Sequence, residues 1–274
     1  MPVRHVSISK TNLERFYDHF NHKRFVSPDP LELVLRYDSV ADREIAALIA
    51  SSLAYGRVTQ IVNSASAVLD PMISPSRFLR RSSSQSLRNL FESFKHRFTT
   101  GMELSSMLIG IKSVIGNFGS LELCFKAGMN IHDQDISVAL CLFASKIREA
   151  SNGGCGTLIP RPENGSACKR LNLFLKWMVR RDKVDPGGWD GIDKSKLILP
   201  LDTHIHRIGR LFGMAERKQA DMKTAKEITE GFRKIAPEDP TKYDFALTRL
   251  GMKYGVGIAD YFRDHSAEDI LEDA

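Results

Sequence analysis

Residues 158–182 read LIPRPENGSACKRLNLFLKWMVRRD, and residues 197–214 read LILPLDTHIHRIGRLFGM. The first stretch opens with a turn rich in proline and glycine and continues into a helix whose apolar face carries Leu171, Leu175 and Met178. The second stretch has Asp202 at the N-cap position of a helical pattern that begins at Thr203. The first stretch thus predicts a helix that begins near Lys169, and the second predicts a helix that begins at the Asp202 carboxylate.

Helical periodicity continues along the rest of the 274-residue chain. Apolar stripes predict helices at 42–55, 58–69, 87–98, 104–118, 135–150, 168–179, 203–212, 222–235 and 243–250. Connectors rich in turn-forming residues separate the stripes, at 71–75, 82–84, 116–119 and 185–188, and no run of residues alternates as a strand would. We therefore expect an all-α protein of about ten or more helices.

The net charge of +6 is concentrated in one segment. Between residues 169 and 218 there are 12 basic and 6 acidic side chains, whereas the remaining residues hold 27 of each. This basic segment is the predicted place for an anionic partner such as a nucleic acid. A solvated helix face rich in lysine and arginine is the alternative interpretation.

Several classes of protein do not fit the composition. The four cysteines, Cys124, Cys141, Cys155 and Cys168, have no metal-binding spacing, so we expect free thiols in a reducing cytosol. The N-terminal residues lack a signal-peptide core, and the longest apolar stretch, 138–144, is far shorter than the ~20 residues that cross a bilayer. Secretion and a membrane partner are therefore not expected, and a cytoplasmic location is.

Lys169 and Asp202 are the side chains on which chemistry could depend. The positive end of a helix repels an ammonium group and so favours the neutral amine, which is a nucleophile. A carboxylate held by the backbone N–H groups of a helix end stays ionised and can act as a base. On charge alone, a solvated lysine and a plain helix cap are the more common interpretations of these two residues.

Both stretches resemble the helix-hairpin-helix DNA glycosylase superfamily, which includes endonuclease III. In that superfamily a hairpin leads to a lysine at the start of a helix, and a later helix start carries the catalytic aspartate. The block ACKRLNLFL places Lys169 at the nucleophile position and Asn172 beside it, and LDTHIHRIGR places Asp202 at the aspartate position. The helix pair at 44–69 also resembles the first core helices of these enzymes.

Over most of its length the chain is similar to an uncharacterised, mainly bacterial family known as a domain of unknown function. The blocks SACKRLN, FLKWMVR, LPLDTH and DPTKYDFAL, the last at 239–247, carry that similarity. The glycosylase hairpin usually reads LPGVG, whereas this chain has two prolines and Gly165, which predicts a turn of different shape. The separation of 33 positions between Lys169 and Asp202 most resembles that of the archaeal 8-oxoguanine glycosylase branch.

The resemblance implies a two-lobed helical fold and a base-excision activity. One lobe would comprise residues 1–40 and 151–274, and residues 41–150 would form an inserted lobe. Lys169 would attack the sugar of a nucleotide flipped out of the duplex. No cofactor is expected, since no cysteine follows Cys168 to hold an iron–sulfur cluster and no metal is implied. The partner would be double-stranded DNA containing a lesion such as 8-oxoguanine, bound by a monomer associated with the nucleoid.

The resemblance and the charge pattern also nominate further site residues. The DNA contacts would come from Gly165, Ser166, Arg170, Lys176, Arg180, Arg207 and Arg210. Trp189, in the polar loop 185–195, and Asn172 are the base-pocket candidates, whereas Trp177 is predicted to pack in the core. An anchor of its loop is an equally good interpretation of Trp189. His204 and His206, two residues apart on a helix, point in different directions and so are not a metal pair.

One alternative function is a non-catalytic helix-hairpin-helix protein. Such a protein could keep the same scaffold and use the basic segment only to bind nucleic acid. The presence of both Lys169 and Asp202 favours the enzyme, because a binding protein needs neither residue at these positions.

Overall fold

The computed structural model describes residues 5–255, which form thirteen α-helices joined mostly by short turns. The helices are α1 (Lys10–Phe20), α2 (Leu31–Val34), α3 (Val40–Ser52), α4 (Val58–Leu69), α5 (Pro75–Arg81), α6 (Ser84–Leu90), α7 (Gly101–Phe118), α8 (Leu121–Lys126), α9 (Ser137–Ala150), α10 (Lys169–Val179), α11 (Thr203–Leu211), α12 (Met222–Arg233) and α13 (Asp244–Tyr254). Two short strands, β1 (Lys95–His96) and β2 (Thr99–Thr100), pair antiparallel. The predicted all-α class is confirmed, with 58% of the residues helical and 3% in strands.

Helix α3 lies at the centre of the fold. Every residue from Glu44 to Ser52 is buried, so the helix has no solvent-facing side over this length. Such a helix must be covered on all sides, and α2, α4, α5 and α10 pack around it. The strongly apolar run at 45–50 therefore determines which helix the others surround.

The remaining helices form two groups around this centre. Helix α7 begins at a capping box, in which Thr100 and Glu103 each accept a backbone N–H from the other, and it packs against α6, α8 and α9. Helix α11 contacts α12 and α13, and α1 packs on α13. The buried apolar side chains of both groups belong to one continuous core. The predicted inserted lobe, residues 41–150, corresponds to helices α3 to α9. The division of the fold into two lobes stays a prediction.

One predicted helix, at 87–98, is wrong over most of its length. Helix α6 ends at Leu90, and the chain then turns into the β1–β2 hairpin. His96 is fully buried, and the Tyr55 hydroxyl lies 2.6 Å from Thr99 Oγ1 and 3.1 Å from the His96 carbonyl oxygen. These tertiary contacts hold the hairpin in place. The connector predicted at 116–119 also differs, because α7 continues to Phe118.

Within residues 5–255, no helix combines the length and the apolar character that a membrane crossing requires.

Candidate active site

Lys169 is the first residue of α10, as the sequence predicts. The turn before it comprises a short 3-10 helix, Pro162–Asn164, and Gly165, whose φ of +78° lies in the left-handed region that favours glycine. The Gly165 carbonyl accepts the N–H of Met222 at 3.0 Å, which attaches the turn to the start of α12. Cys168, with φ of +47°, then directs the chain into α10.

Asp202 is the N-cap of α11, also as predicted. Its Oδ1 atom accepts the N–H groups of His204 at 2.9 Å and Ile205 at 2.8 Å. The second oxygen, Oδ2, lies 3.3 Å from Lys169 Nζ. One oxygen of the carboxylate thus accepts the free N–H groups at the start of α11, and the other faces the lysine. Two residues far apart in the chain therefore form an ion pair.

The pair borders a cavity of about 290 Å³. One wall comes from Asp29, Pro30 and Leu31, and a second from Ala54, Gly56, Val58 and Ile61. The others come from α10 and α11, with Lys169, Leu173, Lys176, Trp177, Pro200, Asp202 and His204, and from α13, with Asp244, Phe245, Thr248 and Met252. The Lys169 side chain is 37% exposed and that of Asp202 is 14% exposed, so the lysine is within reach of solvent while the carboxylate is more enclosed.

A buried ion-pair network borders this cavity. Lys176 Nζ lies 3.0 Å from Asp185 Oδ1 and 3.4 Å from Asp244 Oδ2. Burial works against the charge of Lys176, but the attraction of the two carboxylates outweighs it and raises its pKa. Burial raises the pKa of Asp244 to about 6, and the negative charge of Asp202 raises it further toward that value. The attraction of Lys176 lowers this pKa but does not outweigh the burial.

Three ionisable residues of the cavity wall, Asp29, His204 and Asp244, were not predicted from the sequence to line a pocket. Asp29 pairs with Arg249 at 2.6 Å, yet burial raises the pKa of its carboxyl group. His204 Nδ1 is buried without a hydrogen-bond partner among the described residues. Asp244 lies in the DPTKYDFAL block, which was a usable signal, whereas nothing in the sequence distinguished Asp29.

Two of the predicted DNA contacts, Lys176 and Arg180, are wrong. Their relative exposures are 1% and 3%. Arg180 is paired with Asp182, Asp185 and Asp239, and Lys176 with Asp185 and Asp244. A DNA phosphate could replace these carboxylates only if the core opened, because both cations are enclosed by protein.

Arg170 is also committed to contacts within the protein. Its guanidinium donates to the carbonyl oxygens of Ser52 at 2.6 Å and Thr157 at 2.5 Å, and it lies 5.1 Å from the centre of the Tyr55 ring. These contacts join the start of α10 to the end of α3. The guanidinium is therefore engaged within the protein and is not free for the predicted phosphate contact.

Both base-pocket candidates lie in the core. Trp189 is 2% exposed, packs against Phe125, Phe143 and Phe174, and donates its indole N–H to Glu44 Oε2 at 3.0 Å. Asn172 is 1% exposed and donates to the Ala167 carbonyl at 2.9 Å. Neither can stack on a base, so this prediction is wrong. Trp177 packs in the core as predicted, although it also lines the cavity.

The other four predicted DNA contacts lie nearer to solvent. Gly165 and Ser166 are exposed, but the Gly165 N–H already donates to the Pro162 carbonyl at 3.0 Å, so it is not free to bind a phosphate. Arg207 and Arg210 are half-buried on α11, and neither side chain has an ion-pair partner among residues 5–255. A DNA contact by Ser166, Arg207 or Arg210 stays a prediction.

No cluster of three side chains suited to hold a metal ion occurs in the described part of the chain. All four cysteines are free thiols, and burial raises the pKa of Cys168 to about 11. His206 bonds to the Arg217 carbonyl at 2.9 Å, away from the position of His204 on the cavity wall.

The fold and this site define a helical protein with a lysine–aspartate pair at a cavity. A family model described as a protein of unknown function (DUF2400) matches residues 29–253, and the chain belongs to this family. No curated protein and no solved structure matches the chain.

Proposed function

We propose that the protein is a DNA base-excision glycosylase, with or without AP-lyase activity. Lys169 is the nucleophile, and Asp202 is the base that accepts its proton. The observation that carries the proposal is the 3.3 Å contact between Lys169 Nζ and Asp202 Oδ2 at the edge of the cavity. Resemblance to the superfamily supplies the substrate class, a damaged base such as an oxidised purine in duplex DNA.

The position of the pair supports this chemistry. A flipped nucleotide needs an enclosed space beside the nucleophile, and a cavity of about 290 Å³ adjoins Lys169. Lys169 remains partly exposed, so a sugar can approach its Nζ atom from solvent. Asp202 Oδ2 has no hydrogen-bond or ion-pair partner other than Lys169 among residues 5–255, and it can therefore accept a proton.

In the first step Asp202 takes a proton from the Lys169 ammonium. The lone pair of the amine then forms a bond to C1′ of the extruded nucleotide, the glycosidic bond breaks, and its electrons leave with the base, which is protonated by solvent. The nitrogen now bonded to C1′ loses a proton to solvent, and its lone pair expels the ring oxygen O4′, which takes up a proton from solvent. The sugar ring thereby opens to a protonated imine between Lys169 and C1′. Loss of a C2′ proton and departure of the 3′ phosphate complete the lyase step, and hydrolysis of the imine releases the enzyme.

Two assays on one panel of duplexes test the proposal. Oligonucleotides carrying an abasic site, 8-oxoguanine or another damaged base are incubated with the protein. Borohydride reduction detects the imine as a covalent adduct, and alkaline cleavage detects base release even without lyase activity. We expect wild type to form an adduct with at least one duplex and Lys169→Ala to form none.

Lys218→Ala is the matched control, because Lys218 is an exposed lysine of the same basic segment with no ion-pair partner in the described chain. It should retain wild-type activity. A wild-type protein that binds duplex DNA but neither forms an adduct nor releases any base would refute the glycosylase and leave the non-catalytic binding protein as the better description.

A further inference from the structure

The β1–β2 hairpin exposes an aromatic side chain in a fixed position. Phe98 is 63% exposed, and its ring stacks on that of Tyr55, with ring centres 5.0 Å apart and planes at 21°. The His96 ring meets the Tyr55 ring edge-on at 4.6 Å, and the Arg170 guanidinium also lies over it. One face of Phe98 is therefore supported by the protein. We call Phe98 and Tyr55 the aromatic ledge.

The His96 ring beside the aromatic ledge has a hydrogen-bond partner at both of its nitrogens. His96 Nδ1 bonds to Ser64 Oγ at 2.9 Å and Nε2 to the Tyr55 carbonyl at 3.1 Å. Burial lowers the pKa of His96, so the imidazole that fixes the hairpin is neutral near pH 7.

Three cations lie close to the aromatic ledge in the chain: Arg57 follows Tyr55 by two residues, and Lys95 and Arg97 belong to the hairpin that carries Phe98. All three are exposed, and none of these side chains has an ion-pair or hydrogen-bond partner among residues 5–255. An exposed ring among unpaired cations fits a nucleic acid, which offers a base to the ring and phosphates to the cations. These residues lie outside the basic segment 169–218, so the charge pattern of the sequence did not point to them.

The hairpin also lies beside the cavity. Gly56 lines the cavity and has φ of +103°, and a Cβ atom there would lie 2.9 Å from Arg97 Cδ. Arg97 thus rests directly on a residue of the cavity wall. Arg170, which follows Lys169 in the chain, contacts the other component of the ledge, Tyr55.

We propose that the aromatic ledge stacks on a base of the DNA duplex beside the extruded nucleotide, while Arg57, Lys95 and Arg97 bind the flanking phosphates. The inference rests on the proposed function for its partner, duplex DNA. The ledge is a binding element, and it takes no part in the chemistry at Lys169.

The test measures the affinity of the full-length protein for a fluorescent duplex that contains a stable tetrahydrofuran abasic analogue. Phe98→Ala should raise the Kd by about 5- to 150-fold, the usual cost of removing one base–aromatic stack. Phe98→Leu keeps apolar bulk without a ring and should bind nearly as weakly, whereas Phe98→Trp should bind like wild type. Ile73→Ala is the control, because Ile73 is 92% exposed and lies beyond the opposite end of α4 from Arg57.

Salt dependence tests the cations separately. Replacing Arg57, Lys95 or Arg97 by alanine should reduce the slope of log K against log salt by about 0.9 for each phosphate that the protein no longer neutralises. Thermal unfolding of each variant verifies that it folds. Wild-type affinity for Phe98→Ala or Phe98→Leu would overturn the inference, as would failure of the wild-type protein to bind the duplex.

Borohydride trapping separates this inference from the proposed function. If Lys169 forms an adduct and Phe98→Ala binds normally, the glycosylase stands and the ledge is refuted. If Phe98→Ala and Phe98→Leu bind weakly but no adduct or base release is found, the ledge stands as a DNA-binding surface and the glycosylase is refuted.

Discussion

Lys176 Nζ lies 3.4 Å from Asp244 Oδ2, and both side chains line the cavity that Lys169 and Asp202 border. The same lysine lies 3.0 Å from Asp185. Lys176, which the sequence alone assigns to a DNA surface, is therefore the buried counterion of Asp185 and Asp244. This pairing predicts that its replacement affects folding far more than it affects the binding of an anion.

Lys176→Met should lower the free energy of unfolding by about 3 to 5 kcal/mol, because removing one partner leaves buried carboxylates without compensation. Urea unfolding at pH 7 measures this change. Lys194→Met is the control: Lys194 is 51% exposed and 3.8 Å from Asp239, and its replacement should cost no more than about 1 kcal/mol. A Lys176→Met protein of wild-type stability would contradict the assignment.

Asp244→Asn should change how stability depends on pH. The pKa of Asp244 is about 6 in the folded protein, against an ordinary value of 3.8. The folded state therefore holds the proton more tightly, and this carboxyl group lowers stability progressively as the pH rises from about 4 to about 6. Asparagine does not titrate, so the variant should gain stability relative to wild type over this range, by on the order of 1.4 kcal/mol per pH unit.

Urea unfolding of both proteins at pH 4, 5, 6 and 7 measures the difference. Asp133→Asn, a substitution on a surface loop, provides the comparison for a carboxylate outside the core. A constant stability difference between Asp244→Asn and wild type across these pH values would show that Asp244 titrates normally.

Substitutions of Asp202 separate its role as a helix cap from its role beside Lys169. Asparagine can accept the same backbone N–H groups, so Asp202→Asn should keep the stability within about 0.5 kcal/mol while removing the carboxylate base. Asp202→Ala should lose both the activity and about 1 kcal/mol of stability. Unfolding and base-release assays on both variants measure the two effects.

Asp221 offers a matched control, because it caps α12 through the N–H of Thr224 and is not part of the cavity wall that holds Lys169. Asp221→Asn should retain base release. If Asp202→Asn also retained full activity, Asp202 would be a structural cap only.

Arg207 provides a test of the proposed DNA-binding surface on α11. Arg207→Glu should weaken duplex binding and make the slope of log K against log salt less steep by about 1 or more. Arg88→Glu makes the same charge reversal at an exposed position on α6 and should leave the slope unchanged. Fluorescence anisotropy over about 50 to 200 mM salt measures both slopes. Equal effects of the two reversals would refute a local surface.

The two helix starts were the most predictable part of the site. Turn residues before Lys169 and the capping residue Asp202 act locally, so their pattern is visible in the sequence. Their 3.3 Å contact was expected only through the resemblance, because spacing along the chain does not determine distance in space. The periodic helices were found for the same local reason.

Burial was the property that the sequence could not provide. Lys176 and Arg180 look like surface cations until the carboxylates of Asp185 and Asp239 are placed beside them. Trp189 lies in a polar loop, yet the rings of three distant phenylalanines enclose it. The hairpin at 95–100 was missed because contacts with Tyr55, rather than alternating residues, stabilise it.

The walls of the cavity come from segments at 29–31, 54–61, 169–177, 200–204 and 244–252. No contiguous fragment shorter than residues 29–252 contains them all. The site is consequently not modular: a piece holding only Lys169 and Asp202 would lack the opposing walls, and transplanting these two residues onto another helical scaffold would not reproduce it. Functional dissection of this site must therefore keep residues 29–252 together and proceed by point substitution within them.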